Sequence, residues 1–396
     1  MHPTLIDLGP VPVFKTPVFK APGFKTQFLA MMLAAAGCGS LFASDWPHYL
    51  GPNFDTISGE TGLANTGPLE LVWEAQVMTG FSSITAADGL VYTMGNNGKR
   101  DVVSCLNAES GALIWRRSYP SDLAPNMYEG GPSATPTIHE GKVYTLGKDG
   151  QVFCLNAKTG DTVWQADASD LGAEKPNWGF AGSATIMEDL AIFNIHKGVA
   201  FNKGTGAVVW KATGATAGYA SPRPFPLGKG RQGVAIFHGA GLSAFDPKSG
   251  KELWSYPWTT KHGVNAANPV YFDGKMFLSS GYGTGCALID IARGTPKELW
   301  RNKNMHNHFQ SSLFLNGYLY GIDGQTGKRS RLTCLDPSTG EAMWTEELGF
   351  GTLTVADGKL YVLDQKGQLF IVAPPLRVTR SSTDNRFWNP SAGRPR

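Results

Sequence analysis

The chain has 396 residues and a formal net charge of +3, and only 17% of its residues are charged. A balance this close to neutral gives no general electrostatic field for nucleic acid or anionic lipid, so neither is expected as a partner. Glycine is abundant with 49 residues, and 25 prolines, 11 tryptophans, 12 tyrosines and 21 phenylalanines accompany it. This mixture is typical of many short strands joined by tight turns and predicts an all-β protein.

The first 44 residues are typical of an export signal. Lys15, Lys20 and Lys25 precede an apolar run over residues 28–38, and small residues follow it as far as Ser44. This order of a basic segment, an apolar segment and a small-residue cleavage zone predicts a signal peptide, and the apolar run is short for a transmembrane span. We therefore expect an exported, periplasmic or extracellular protein and exclude residues 1–44 from the fold.

The cleavage position has two interpretations. Cleavage near Ala43 or Ser44 predicts a soluble mature protein. Cleavage before Cys38 predicts an outer-membrane lipoprotein, because residues 35–38 (AAGC) resemble a bacterial lipoprotein box that lacks its usual leucine. In the second case a lipid attached to Cys38 would be the protein's contact with the membrane.

A repeat runs through the rest of the chain. Each copy has a glycine, a β-rich triplet with Tyr or Phe, a polar turn, a strand that ends in a small residue and Leu, then Asn or Asp, Thr/Ser-Gly and a tryptophan. The clearest copy covers residues 141–164. The repeated tryptophans are separated by 42, 49, 46, 44, 46 and 44 residues, and they are Trp73, Trp115, Trp164, Trp210, Trp254, Trp300 and Trp344. Such regular spacing predicts structural units of about 44 residues.

Each part of the repeat has a physical role. The Asn or Asp side chain closes a local hydrogen bond and the glycine takes a positive φ, so this segment predicts a hairpin between the third and fourth strands of each unit. The tryptophan would cover the apolar face between neighbouring units and bury about 200 Å². Because one small sheet cannot bury both of its faces, four strands per repeat predict a closed β-propeller, with an architecture like that of WD40 and YVTN repeats.

Closing the ring leaves two interpretations. Six complete blades cover residues 82–344, and residues 358–372 supply the inner strands of a seventh. The strand around Trp73 then either completes blade seven or belongs to an eighth blade. Residues 373–396 contain five arginines and are expected to form an irregular tail that looks truncated. Trp388 in this tail is not counted, because no Thr-Gly turn precedes it.

The repeat resembles the pyrroloquinoline-quinone (PQQ)-like β-propeller repeat of quinoprotein dehydrogenases and of BamB-type outer-membrane assembly lipoproteins. It is most similar to secreted members from planctomycete-type bacteria, on the basis of residues 46–53 (WPHYLGPN), 265–269 (NAANP) and 281–286 (GYGTGC). The resemblance covers about residues 45–372 and implies eight blades, the last one incomplete. It does not imply one function, because this repeat serves unrelated roles.

The resemblance also implies what a quinone site would need. Dehydrogenases of this family stack PQQ between a tryptophan and a disulfide of two adjacent cysteines, beside a Ca²⁺ ion held by oxygen ligands. No two cysteines are adjacent in this chain. Cys105, Cys154, Cys286 and Cys334 occupy small-residue slots on third strands, and we expect them to be buried packing residues. We therefore predict no cofactor; PQQ and Ca²⁺ are alternatives that the sequence does not support.

Catalytic and metal-binding motifs are scarce. His306 and His308 could reach one metal ion, because residues i and i+2 of a strand share a face, but no third ligand accompanies them. The alternative is a hydrogen-bonding role at the rim of the channel. The sequence has no Gly-x-Ser-x-Gly, His-Glu-x-x-His or phosphate-binding Gly-Lys-Ser/Thr loop. We predict no metal site and no catalytic residue.

Binding residues are expected on the loops that lead into the innermost strands. In a propeller each blade adds one such loop around a common axis, and aromatic residues beside Gly and Asn suit the recognition of a peptide, a glycan or a small aromatic ligand. The alternative is that these residues pack between blades. The candidate binding residues are Tyr128, Glu129, Trp178, Phe180, Tyr219, His262, Asn265, His306 and His308.

These observations favour an exported, non-catalytic propeller that binds protein partners in cell-envelope assembly. The alternatives are an atypical PQQ-dependent dehydrogenase that oxidises an alcohol or a sugar, and a glycan-binding protein. The expected partner is an envelope protein, or else a small ligand or glycan. We expect the protein to be a monomer.

Overall fold

Seven four-stranded antiparallel sheets make up the body of the protein. The computed structural model describes residues 44–63, 71–125 and 128–374, together with the backbone of the strands Lys15–Phe19 and Arg377–Thr379. In each sheet the strands are hydrogen-bonded in sequence order, and first strands of neighbouring sheets contact one another. The sheets are therefore blades around one axis with their first strands innermost, which confirms the predicted β-propeller.

The first four blades follow one another along the chain. Blade 1 consists of Thr85–Ala87, Leu90–Asn96, Arg100–Asn107 and Leu113–Pro120. Blade 2 consists of Thr137–His139, Lys142–Leu146, Gln151–Asn156 and Thr162–Asp167. Blade 3 consists of Thr185–Met187, Leu190–Phe193, Gly198–Asn202 and Val208–Ala212. Blade 4 consists of Arg223–Gly228, Arg231–His238, Gly241–Phe245 and Glu252–Pro257.

The last three blades have the same strand order. Blade 5 consists of Val270–Phe272, Lys275–Ser280, Gly285–Asp290 and Lys297–Asn302. Blade 6 consists of Leu313–Leu315, Tyr318–Asp323, Ser330–Leu335 and Ala342–Leu348. Blade 7 consists of Gly351–Ala356, Lys359–Asp364, Leu369–Ala373 and Arg377–Thr379. Two single turns of 3₁₀ helix follow blades 2 and 4, at Ser169–Leu171 and Lys261–Gly263.

The hydrophobic core is divided among the spaces between blades. One cluster joins Tyr144 and Cys154 of blade 2 to Phe193 and Phe201 of blade 3, and others join blades 4 and 5 and blades 6 and 7. Each blade therefore depends on its neighbours for burial of its apolar faces, as the repeat predicts. Within the described residues no helix has the length and apolar character needed to cross a membrane.

The turn between the third and fourth strands forms as predicted. In blade 2 the Asn156 side-chain oxygen accepts hydrogen bonds from the N–H groups of Lys158 and Thr159, at 2.9 and 3.1 Å. Gly160 follows with φ +74°, and its N–H donates to the Asn156 carbonyl. The corresponding acceptors in blades 1, 3, 4 and 6 are Asn107, Asn202, Asp246 and Asp336.

These turns receive the tryptophan of the preceding blade. The indole Nε1 of Trp115 in blade 1 donates to the Ala157 carbonyl in the blade 2 turn at 2.9 Å. Its ring lies against Gly160, where a Cβ would come within 2.7 Å of the indole. The glycine is therefore needed for its positive φ and for the close approach of the ring. We call this contact the indole latch, and it also forms at Trp73, Trp164, Trp210 and Trp300.

Blade 5 departs from this pattern. Residues 290–294 (DIARG) replace the Asx-x-x-Thr/Ser-Gly turn, and in the described part of the chain the Nε1 of the preceding Trp254 has no hydrogen-bond partner. Trp254 is nevertheless buried to the same extent as Trp115, Trp164 and Trp210. The hydrogen bond of the latch therefore depends on the turn of the next blade, whereas burial of the ring does not.

The cysteines follow the predicted slot in three of four positions. Cys105, Cys154 and Cys334 are register partners of the tryptophans on their fourth strands. For Cys286 the expectation of a shared slot is wrong. Leu288 faces Trp300 and Cys286 faces Asn302, because the hairpin of blade 5 is longer than those of the other blades. All four thiols are buried and free of disulfides.

Trp73 lies in the beginning of an eighth blade. Its strand, Leu71–Gln76, pairs with Lys15–Phe19, whereas the fourth strand of blade 7 is Arg377–Thr379. Trp73 forms the indole latch on the turn of blade 1, with its Nε1 3.0 Å from the Ala108 carbonyl. In the described residues this strand therefore does not complete blade 7, and two strands occupy the position of an eighth blade, as the interpretation with eight blades expects.

Two strands fall in segments that the sequence had placed outside the fold. Lys15–Phe19 lies in the expected export segment, and Arg377–Thr379 lies in the expected irregular tail. The predicted lipid-bearing Cys38 and the uncounted Trp388 lie outside the described residues.

The segment before the first strand crosses the ring. We use upper face for the side with the loops into the first strands, and lower face for the side with the indole latches. Trp46 pairs with Ala86 in the first strand of blade 1, and Ile57 pairs with Val355 in the first strand of blade 7. His48, between them, is almost completely buried. Residues 44–63, which we call the channel segment, therefore join blades 1 and 7 at the lower mouth of the channel.

Candidate functional site

The loops on the upper face bring aromatic rings from several blades into one row. Most of these rings come from the loops between blades 2 and 3, 3 and 4, 4 and 5, and 5 and 6, and one comes from the turn between the second and third strands of blade 5. The side chains of this row, which we call the aromatic rim, are Trp178, Tyr219, His262, Tyr282, His308 and Phe309.

Neighbouring rings of the aromatic rim are in contact distance. Trp178 lies edge-on to Tyr219 and His262, with ring centroids 6.1 and 6.2 Å apart. His262 lies 6.2 Å from Tyr282, and Tyr282 lies 5.1 Å from His308, whose Nε2 is 3.1 Å from the Tyr282 hydroxyl. Edge-to-face contacts of this kind stabilise the positions of the rings beyond the area they bury. The rim is therefore a connected surface, not a set of separate side chains.

Two members of the rim have unusual backbone conformations. His262 has φ +67° and Tyr282 has φ +56°, in the left-handed region that favours glycine. Such conformations cost about 1–3 kcal/mol each and concentrate at functional sites. Tyr282, His262 and Phe309 are also exposed. The chain therefore holds exposed rings on strained backbone at this face.

Three tyrosine hydroxyls of the upper face have raised pKa values. Burial raises the pKa of Tyr219 to about 12, and the nearby Tyr282 and Tyr128 add to the increase, while the backbone of Trp178 opposes it. Burial also raises the pKa of Tyr128 and Tyr282. All three are therefore protonated at neutral pH and can donate hydrogen bonds to a ligand.

Two of the predicted binding residues support the loops from below. Phe180 is almost completely buried and packs in the core between blades 2 and 3. Asn265 is fully buried; its side-chain N–H groups donate to the carbonyls of His238 and Trp258, at 2.8 and 3.3 Å. The backbone carbonyl of Asn265 accepts a hydrogen bond from the backbone N–H of Tyr219 at 2.9 Å. Asn265 therefore joins three loops and positions Tyr219.

The two predicted histidines have different surroundings. The Nδ1 of His306 lies 2.9 Å from the Asp323 carboxylate, which also accepts a hydrogen bond from Arg331 at 2.9 Å. His308 instead faces Tyr282 within the rim. Burial lowers the pKa of His308, and Lys328 lowers it further, so this ring is neutral at pH 7. The two imidazoles therefore do not converge on one point.

Tyr128 and Glu129 lie at the loop into blade 2. The Tyr128 ring is 5.6 Å from Phe81, which precedes blade 1 and is 43% exposed. Glu129 is exposed. This pair of rings lies on the same face, at the loops into blades 1 and 2.

Sequence reasoning missed three rings of this surface. Tyr282 and Phe309 belong to the rim, and Phe81 pairs with Tyr128. Tyr282 lies in a turn between second and third strands, and the prediction considered only loops into first strands. Because both kinds of turn meet on the same face of a propeller, aromatic residues in either position were candidates.

The residues present do not match a quinone site of the kind that the resemblance implies. Cys105, Cys154, Cys286 and Cys334 lie in four different blades, buried within the sheets, so they cannot form a disulfide of adjacent cysteines. Among the described residues no group of three or more His, Cys, Asp or Glu side chains is placed to hold a metal ion. What the aromatic rim can do is bind apolar and aromatic groups and donate hydrogen bonds at its edge.

Comparison with protein families matches residues 64–222 and 99–346 to a PQQ-type repeat family described as "Outer membrane protein assembly factor BamB". These two matches together cover more than half of the chain. The chain belongs to this family.

Relatives of known name agree with this family assignment. The chain is 26% identical to the "Outer membrane protein assembly factor BamB" of Burkholderia pseudomallei (strain K96243), over 77% of this chain and 88% of the relative. BamB from Moraxella catarrhalis has a similar structure, with a TM-score of 0.60, 16% identity, and coverage of 79% of this chain and 89% of that chain. The quinohemoprotein alcohol dehydrogenase of Comamonas testosteroni has the same TM-score of 0.60 at 14% identity, covering 83% and 71%. At such identities the structural likeness concerns the fold alone.

Proposed function

We propose that this BamB-family propeller is an exported, non-catalytic binding protein that acts in assembly of the cell envelope and holds a protein partner on its aromatic rim. The names of its relatives support the envelope setting, since one is an "Outer membrane protein assembly factor BamB" and the other is also a BamB. The partner itself is proposed from the chemistry of the upper face.

The aromatic rim is the observation that carries this proposal. Tyr and Trp are enriched at protein interfaces because they combine a large apolar area with a polar tip. Here the rings of Trp178, Tyr282 and Phe309 form part of one row fixed by edge-to-face contacts, and strained backbone keeps Tyr282 exposed. A surface of this kind is prepared before binding, which reduces the entropy that binding must overcome.

The oxidoreductase alternative is supported less well. It has a fold relative in a quinohemoprotein alcohol dehydrogenase. However, the buried, separate thiols offer no counterpart of the stacking disulfide. Purified protein mixed with PQQ and Ca²⁺ tests this alternative directly, and a quinone absorbance shift with dye-linked alcohol oxidation would favour it over the binding role.

Site-specific photo-crosslinking tests the binding role. A benzoylphenylalanine placed at Phe309 on the rim is expected to crosslink an envelope protein in intact cells. The same amino acid placed at Leu299, an exposed residue on the outer strand of blade 5, is the matched control and is expected to give no crosslink.

A double substitution, Trp178→Ala with Tyr282→Ala, adds a quantitative test. Removing two central rings is expected to reduce capture of the crosslinked partner by about tenfold or more, because central aromatic residues carry most interface energy. The melting temperature should fall by only a few degrees, since both rings lie outside the blade cores. Crosslinks of equal strength at residues 309 and 299, or capture unchanged in the double variant, would contradict the proposal.

A further inference from the structure

A cavity of about 180 Å³ lies between the channel segment and the inner strands of blades 4, 5 and 6, and none of its lining residues belongs to the aromatic rim. Its polar lining includes Asp55, Arg223, Asn268, Tyr271 and Ser311, and its apolar lining includes Leu50, Val270 and Phe314. A cavity of this size is smaller than the usual site for a drug-sized molecule and suits a ligand of a few carbon atoms.

Arg223 breaks the pattern of the inner strands. Thr85, Thr137 and Thr185 occupy the same position in blades 1 to 3, and each hydroxyl donates to a carbonyl of the next blade, at 3.1, 2.8 and 2.7 Å. The last of these carbonyls belongs to Pro222, the residue before Arg223. Blade 4 therefore has a long cation where three blades have a small hydroxyl.

Arg223 is buried, and in the described part of the chain it forms no side-chain hydrogen bond through its Nε. The residue is only 6% exposed. Burial lowers the pKa of Arg223 to about 10, so the group still carries its charge at neutral pH. Burying a charge costs several kcal/mol, and proteins retain such groups when they meet a ligand or a counter-ion.

Asp55 lies at the same cavity and attracts Arg223 without forming an ion pair in the described structure. One of its carboxylate oxygens accepts the N–H of Ile57 at 3.0 Å, which leaves the other oxygen for a donor. Phe54 and Thr56, on either side, have φ +59° and +60°. Strain on both neighbours of one carboxylate indicates that the loop is built to hold Asp55 at this place.

We propose that this cavity binds a small organic acid that carries an amino or hydroxyl group beside its carboxylate. The ligand carboxylate would take the charge-assisted hydrogen bonds of Arg223, and its amino or hydroxyl group would donate to Asp55. Its short hydrocarbon part would contact Leu50, Val270 and Phe314. This site is separate from the aromatic rim, so the two proposals can fail independently.

Thermal-shift and calorimetric titrations with four probes test the ligand class. Alanine and lactate have both groups, acetate has only the carboxylate, and 2-propanol has only the hydroxyl. Alanine or lactate is expected to raise the melting temperature in a saturable way below about 10 mM, with acetate binding about tenfold more weakly and 2-propanol not at all. No saturable response to any of the four probes up to that concentration would overturn the proposal.

Substitutions at the two charged groups assign the response to this cavity. Arg223→Gln is expected to abolish the response to alanine and lactate, and Asp55→Asn is expected to remove their advantage over acetate. Arg231→Gln, at an exposed arginine of the same blade, is the matched control and should behave as the wild type. An equal response in the wild type and in Arg223→Gln would show that the probes bind elsewhere.

A third variant separates a ligand-binding arginine from a structural one. Arg223→Met replaces a buried cation by an apolar side chain of similar length, so it is expected to raise the melting temperature in buffer that contains no organic acid. A structural arginine would instead give a less stable protein on this substitution, and that result would overturn the assignment even if the variant no longer bound the probes.

Discussion

On the lower side of the ring the same contact recurs from blade to blade, whereas on the upper side each blade contributes something different. The indole latch joins Trp115, Trp164 and Trp210 each to the turn of the next blade, through a carbonyl and a glycine at equivalent positions of that turn. The upper loops contribute Trp178, Tyr219 and other rings with no shared motif. Uniform contacts on one side therefore hold the scaffold, and varied contacts on the other side are free to serve binding.

The largest expected effect is loss of a latch. Trp164→Ala should destabilise the protein by about 3–5 kcal/mol, because it removes a buried indole, its stacking on Phe201 and its hydrogen bond to Lys203. Val163→Ala, at the exposed neighbouring residue, is the control and should change stability by less than about 0.5 kcal/mol. Urea unfolding checks both values. Similar losses for the two variants would mean that the latches do not hold the ring.

The second effect depends on pH and concerns the upper side. Burial lowers the pKa of His238 from 6.5 to about 4, and its Nδ1 accepts the N–H of Ala240 in the turn between the second and third strands. The unfolded chain therefore binds a proton at this residue below pH 6.5, while the folded protein does so only near pH 4. Stability from this residue is complete above pH 6.5 and falls by about 3 kcal/mol as the pH drops to 4.

Unfolding measured between pH 8 and 4 for the wild type and His238→Gln tests this linkage. The variant should lose less stability over this range, and the exposed His262→Gln serves as the control. Burial lowers the pKa of His48 to about 3, so this residue also lowers the stability of all three proteins as the pH falls. Parallel curves for the wild type and His238→Gln would show that this imidazole does not stabilise the upper turn.

The smallest expected effect is the difference in stability loss between two glycine substitutions on the lower side, which separates backbone strain from contact with the indole ring. Gly160 and Gly141 have similar φ values, +74° and +70°. A Cβ at Gly160 would meet the Trp115 ring at 2.7 Å, while a Cβ at Gly141 would meet nothing within 4 Å. Gly141→Ala should therefore cost about 1–2 kcal/mol from strain alone, and Gly160→Ala about 1–3 kcal/mol more. Equal losses of unfolding free energy in the two variants would show that the indole latch does not need a glycine at position 160.

The repeat made the lower side predictable from sequence. Regular tryptophan spacing and the Asx-x-x-Thr/Ser-Gly turn depend on local chemistry that each blade repeats, so the hairpins and the indole positions followed directly. Blade 5 shows the limit of this inference. In blade 5 residues 290–294 replace the usual turn, and Leu288 rather than Cys286 is the register partner of the tryptophan.

The upper and central parts were less predictable because they depend on contacts between distant segments. Phe180 and Tyr219 both lie in aromatic loops, yet Phe180 is part of the core and Tyr219 is half-buried in the rim, and only packing decides between these positions. Tyr282 joins the rim from a turn that the pattern did not mark. No sequence motif marks Arg223. It is unusual only when its position is compared with the equivalent threonines of blades 1 to 3.

The channel segment has a consequence for how the molecule folds. Its pairing partners Ile57 and Val355 are 298 positions apart in the chain, whereas most strand pairs join neighbours in sequence. Contacts of such long sequence separation form slowly, because the entropy of closing the intervening loop opposes them until the rest is ordered. Neighbouring blades can pack together in chain order. The contacts of the channel segment with blades 1 and 7 can form only after both of these blades have folded. Refolding should therefore show a late step in which the N-terminal segment docks after the blades have formed.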